Sequence, residues 1–142
     1  MKSIITKALL LVFGAAALCS FSPSFGGEGF ELFLNGKVIL QQFGKDLNTV
    51  KTLQLDAAST SDKLAIRYHH CGRVGKNRIV TIKDGQNNVL KEFRYADVAT
   101  PVAAMSLPVK DILGLKKGSA NTLKLYYSST ELPNGRLLTS IN

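Results

Sequence analysis

Residues 63–68 read KLAIRY, with Leu64, Ile66 and Tyr68 on one parity and Lys63, Ala65 and Arg67 on the other. Residues 122–127 (TLKLYY) repeat the rhythm with Leu123, Leu125 and Tyr127 against Thr122, Lys124 and Tyr126. Successive side chains of an extended chain point to opposite sides, so a period of two predicts strands with one buried and one wet face. Segments 30–34, 37–41, 52–56, 78–83, 89–95, 103–107 and 136–141 bring the set to eight or nine short strands.

The punctuation between them agrees. Asn35-Gly36 is a hairpin signal, because a two-residue turn needs positive φ at both central positions. Asp84-Gly85 followed by Gln86, Asn87 and Asn88 predicts a second hairpin, and Pro133-Asn134-Gly135 a further turn before segment 136–141. Only residues 107–118 (LPVKDILGLKKG) depart from the period. Pro108 opens a helical turn, Val109, Ile112 and Leu113 share one helical face, and Lys116, Lys117 and Gly118 suit a C-terminus, with Gly114 limiting the helix to one or two turns. The fold class this predicts is all-β: a small antiparallel β-sandwich, immunoglobulin-like or similar, with one short helical turn.

The N-terminus belongs to a different pattern. Lys2 and Lys7 precede the apolar run of residues 8–18, which is too short to span a bilayer, where about 20 apolar residues are needed. Residues 1–24 therefore read as a signal peptide cut somewhere between positions 17 and 27, and residues 28–142 as a single domain. The expected location is periplasmic or secreted, with no stable membrane insertion once the leader is removed. Leu18 before Cys19 disfavours a lipoprotein leader, which normally carries Gly, Ala or Ser there.

Cleavage after Cys19 leaves one thiol, Cys71, so the domain is no disulfide scaffold and must be held by packing. Removing Lys2 and Lys7 from the eighteen basic residues leaves sixteen against ten acidic ones, a mature charge of +6. The cations are scattered along the chain without an aromatic-interleaved stripe, and nucleic acid is not an expected partner. An acidic glycan, another anionic ligand or a protein partner fits the balance.

Candidate chemistry gathers in one stretch. Residues 68–78 read YHHCGRVGKNR and form the expected loop between two antiparallel neighbours, at the end of a sandwich where binding residues tend to sit. A phosphate loop is excluded: the Walker pattern needs glycine where His70 stands and Ser or Thr where Asn77 stands. Arg73, Lys76 and Arg78 around glycine-flexed backbone suit an anion cradle. His69 and Cys71, two apart and so on one side of an extended chain, pair imidazole with thiolate as copper or zinc ligands would, with His70 on the other side. A cysteine nucleophile would need an oriented base, and His70 and Cys71 point apart if the strand continues through them, though a turn there would change this.

Asp97 is expected to return to the same rim and pair with Arg78, and an outward Tyr126 to be available for stacking on a sugar. Nothing couples Asp97 to Glu131 for acid–base work. The reading is a non-enzymatic binding or interaction module without a cofactor. The alternative is a metal- or thiol-dependent protein using His69, His70 and Cys71.

Overall fold

The computed structural model describes residues 27–55, 60–116 and 122–142. The expected leader with its cleavage window and Cys19, Asp56 at the end of the third expected strand, and Lys117 and Gly118 at the foot of the helical segment lie outside the described residues. Among the described residues nine strands follow one another: β1 (Glu28–Leu34), β2 (Lys37–Phe43), β3 (Lys51–Leu53), β4 (Lys63–His70), β5 (Arg78–Lys83), β6 (Val89–Tyr95), β7 (Met105–Pro108), β8 (Leu123–Ser129) and β9 (Leu132–Ile141). A 3-10 turn, Gly44–Asn48, links β2 to β3, and one α-helix among the described residues, α1 (Val109–Leu113), follows β7.

They build two sheets, ordered β2-β1-β4-β7 and β3-β9-β8-β5-β6. The fold is all-β and sandwich-like, as the alternation predicts. The buried side chains of the two sheets meet in a single core: Phe30, Leu32, Leu64, Ile66, Tyr68, Met105 and Leu107 from the first, Val80, Ile82, Leu123, Leu125, Tyr127, Leu138 and Ile141 from the second. Val109 and Ile112 of α1 close one end of it. At Asn35-Gly36 both residues take positive φ, 50° and 82°, and β1 turns into β2 there as the dipeptide requires.

Three details differ from the sequence expectation. The second sheet is mixed rather than antiparallel, because β3 runs parallel to β9 through Lys51↔Thr139 to Leu53↔Ile141. β3 arrives from the other sheet through the 3-10 turn, so no tight hairpin forces it antiparallel.

Second, Pro133-Asn134-Gly135 is not the turn between β8 and β9. The chain reverses at Thr130-Glu131, where Ser129 already faces Leu132, and the next pair is Tyr127↔Arg136. Ser128 thus opposes three residues, and Pro133, Asn134 and Gly135 (φ 73°) bulge out of β9. β3 pairs only with the far end of β9, so the N–H that Pro133 lacks breaks no ladder bond.

Third, β4 and β5 are not neighbours. β4 lies between β1 and β7 in the first sheet, and β5 between β8 and β6 in the second. The His-Cys-Arg loop is therefore a crossing from one sheet to the other. Among the described residues, no helix is long and apolar enough to cross a membrane.

Where β2 ends, a buried amide holds the crossing to β3. Gln42, only 2% exposed, donates from Nε2 to the carbonyls of Asp46 and Thr49, both at 2.7 Å. Gln42→Ala would leave two turn carbonyls without a donor, a cost of roughly 1–3 kcal/mol. The expected readout is a lower urea midpoint with an unchanged slope.

Candidate functional site

β4 carries its strand alternation two residues further than Tyr68. His70 shares the parity of Leu64, Ile66 and Tyr68 and points into the core, 5% exposed, while His69 lies on the outer face. The chain then reverses over Cys71 and Gly72, whose φ angles are 55° and 84°, and the Arg73 N–H donates to the His70 carbonyl at 3.2 Å. This is a two-residue turn of the same kind as Asn35-Gly36. The left-handed conformation is uncommon for a residue with a Cβ other than Asn or Asp, and Cys71 adopts it with its thiol exposed.

Beyond the turn, the backbone is stitched to neighbouring loops. Lys76 N–H donates to the Glu131 carboxylate at 3.0 Å, and the Lys76 carbonyl accepts from Thr130 N–H at 2.8 Å. Asn77 N–H donates to Asp97 at 2.9 Å, and its side-chain amide donates to the Thr130 hydroxyl at 2.9 Å. Asp97 does return to this rim, as the sequence implies, yet it caps Asn77 rather than pairing with Arg78.

Gly75 presses against the core cluster. A β-carbon there would lie 2.9 Å from His70 Nε2 and 3.0 Å from the Tyr127 hydroxyl, so no larger residue fits without displacing them. Tyr127 of β8 stacks on Tyr68 of β4, with ring centroids 4.4 Å apart and planes at 20°, and its hydroxyl sits 2.8 Å from His70 Nε2. The Ser129 hydroxyl approaches the same nitrogen at 3.4 Å.

On the other side of the stack, the Tyr68 hydroxyl donates to Glu28 at 2.6 Å and accepts from Arg136 Nε at 2.9 Å, while Arg136 also reaches Glu28 at 3.2 Å. Burial, and after it the Glu28 carboxylate, push the Tyr68 phenol far above its ordinary range. The hydroxyl stays protonated and serves as a fixed link.

The six residues singled out from the sequence separate. Arg78 turns inward, 7% exposed, on the parity of Val80 and Ile82. It donates to the carbonyls of Ala103 at 3.0 Å and Ala96 at 3.1 Å, and its buried Nε has no partner among the described residues. The expected cradle of three cations is thus reduced to Arg73 and Lys76, both exposed and neither in an ion pair among the described residues.

The three candidate metal ligands diverge as well. His69 pairs with Glu31 at 3.1 Å on the outer face and meets Phe43 edge-on, His70 is held by Tyr127, and Cys71 faces solvent. Among the described residues, no three His, Cys, Asp or Glu side chains are grouped to hold a metal ion. Tyr126 is half-buried, with the Lys83 ammonium 4.2 Å from its ring centroid, so that face already carries a cation.

No family model and no curated protein matches this chain. What the rim can do has to be read from its own geometry. Hydroxyls at His70 invite comparison with an acid–base pair, but Ser129, Tyr127 and His70 are all buried. The crevice beside them, lined by Tyr68, His70, Gly75, Arg78, Pro101 and Met105, is too tight to admit a water molecule. The role of these buried groups is to fix the loop above.

The parity of Arg78 and His70 was present in the sequence. Extending the alternation of segments 63–68 and 78–83 by two residues and to the first residue, respectively, points both side chains inward. The stitching by Thr130 and Glu131 carried no local signal, since it depends on where the β8–β9 turn falls.

His70 gives the site a pH dependence. Burial first, then the Arg73 cation, lowers its pKa, against the opposing pull of Glu131 and Glu28. A histidine with a folded-state pKa below its unfolded value of about 6.5 binds more protons when unfolded. Its contribution to stability is full above that value and is lost as the pH falls toward the folded value. Thermal melts from pH 7.5 to 5 should show a falling melting temperature in the wild type, and a flatter profile in His70→Gln, which starts from a lower melting temperature.

Proposed function

We propose that the protein is an exported, non-catalytic binding module that offers Arg73 and Lys76 to an anionic partner, an acidic glycan being the class that fits best. One observation carries this reading: the backbone of the β4–β5 crossing makes four hydrogen bonds, three of them to Thr130, Glu131 and Asp97 on neighbouring loops, yet its two cations are exposed and without ion-pair partners among the described residues. A surface loop whose only role is to stay wet needs no such anchoring. A loop held in place pays little conformational entropy on binding, which favours recognition by long cationic side chains.

Arginine supplies a planar fork for sulfate or carboxylate, and lysine a point charge beside it. The Glu131 carboxylate nearby forms no ion pair with either of them among the described residues and accepts from the Lys76 N–H instead. The export component rests on the basic-then-apolar pattern of residues 1–24, and the mature charge of +6 supports long-range attraction to a polyanion.

The metal- or thiol-dependent alternative has no comparable support, because His69 and His70 are engaged on opposite faces of β4.

Heparin, a densely sulfated polysaccharide, is a direct probe. The Arg73→Glu/Lys76→Glu variant should lose heparin affinity by roughly tenfold or more, the loss of two charge-assisted contacts, with an unchanged melting temperature. Binding in the wild type should weaken as salt rises. Arg78→Glu serves as the contrast and should lower the melting temperature, because its charge would be buried against carbonyl oxygens. Retained affinity in the double variant would dismiss the proposal.

A further inference from the structure

β6 ends the second sheet, and among the described residues no strand pairs with its outer side. The other sheet margins are shorter or broken: β7 has four residues and runs through Pro108 into α1, β3 has three, and β2 is interrupted by a bulge between Val38 and Leu40. β6 has its own irregularity at Leu90, after which Lys91 to Tyr95 pair in unbroken register with β5. An open strand of this kind is a template for another strand, and proteins commonly protect it with proline or an outward lysine. Here there is no proline. Lys91 is drawn to Asp111 of α1 at 3.3 Å and over the Phe93 ring at 5.0 Å.

The charge pattern on this strand is self-complementary. Glu92 and Arg94 flank Phe93 and pair with each other at 3.0 Å on the exposed face, their side chains 40% and 72% exposed. If a second β6 lies antiparallel with a two-fold axis at Phe93, each Glu92 stands opposite the other copy's Arg94, and each Lys91 opposite the other copy's Tyr95. No like charges meet. The Glu92–Arg94 pair of each copy becomes half of a square of four alternating charges, the arrangement that cross-strand pairing rewards. Exposed apolar side chains also collect here: of the five large ones among the described residues, Val89 and Leu90 lie on β6 and Val98 just past it.

The geometry points to a homodimer formed by antiparallel β6–β6 pairing, which joins the five-stranded sheets of two copies into one of ten strands. The two-fold operation makes the contact isologous and closes it, so the assembly stops at two. Five paired residues make a small interface, so the dimer is a weak, concentration-dependent one. It is independent of the Arg73–Lys76 reading, since those residues lie on the β4–β5 crossing and take no part in the pairing.

Sedimentation velocity across a concentration series tests it with charge exchange. Glu92→Arg places Arg opposite Arg, and Arg94→Glu places Glu opposite Glu, so each variant alone should self-associate at least roughly tenfold more weakly than wild type. An equimolar mixture of the two should regain the dimer, as should the Glu92→Arg/Arg94→Glu double exchange, all with wild-type melting temperatures. The Arg73→Glu/Lys76→Glu variant should dimerise as wild type does. A wild type that stays monomeric up to about millimolar concentration, single variants that dimerise undiminished, or a mixture that remains monomeric would each overturn the proposal.

Discussion

The contact on which the rim depends is the stack of Tyr68 on Tyr127. One ring comes from the first sheet and one from the second, so this contact fixes the spacing of the two layers at the end of the sandwich where the chain crosses between them. Stacked aromatics add about 0.5–1.5 kcal/mol to the burial of their faces. The polar edges matter as much. Each phenol is buried and must find a partner, and the partners it finds determine what surrounds it. Tyr68 takes Glu28 and Arg136, which ties the start of β1 to β9, while Tyr127 takes His70, which ties β8 back to β4.

From that cluster, the shape of the β4–β5 crossing follows. With His70 committed to Tyr127, the chain leaves β4 at the next residue through the tight turn over Cys71 and Gly72, in which the Arg73 N–H keeps the His70 carbonyl bonded. Gly75 then passes within contact distance of both rings, a path open only to a residue without a side chain. The exposed cations are consequences of the same route: Arg73 and Lys76 occupy the positions of the crossing that face away from the cluster. The glycines that look like a flexible nest in the sequence are thus one turn residue and one packing residue in a fixed loop.

This explains what the sequence made readable and what it did not. The strands follow from alternation because each has a dry face and a wet face, a local property that residues such as Leu64, Ile66, Val80 and Ile82 display directly. The Asn35-Gly36 hairpin follows because two positive φ angles are a local demand. Strand partners are a non-local matter. The loop between β4 and β5 resembles a hairpin connection in length and composition, and only the positions of β7 and β8 decide that the two strands belong to different sheets. Pro133-Asn134-Gly135 misleads for a related reason: turn residues also suit a bulge, and Leu132 before them is claimed by Ser129. Residue type groups Arg78 with the exposed cations, whereas its parity, the more physical signal, points it inward.

Arg78 also shows why a buried charge need not mark a ligand site. Among the described residues its guanidinium forms no ion pair, and two of its donors go to the carbonyls of Ala96 and Ala103, holding the segment between β6 and β7 across the end of the core. Tyr95, next to it in the ladder, is pushed up to about 12 by burial against the opposing pull of the Arg78 cation, so it too remains a neutral donor, bonded to the Ser106 carbonyl at 2.9 Å. Burying a cation in this way is costly, and apolar replacements of buried charges elsewhere often prove no less stable. What the arginine provides that an apolar side chain would not is direction: two carbonyls on the segment are bound to one planar group, and that segment closes the crevice beside His70. The cation that the sequence assigns to ligand binding thereby ties down the segment that lies over the crevice beside His70.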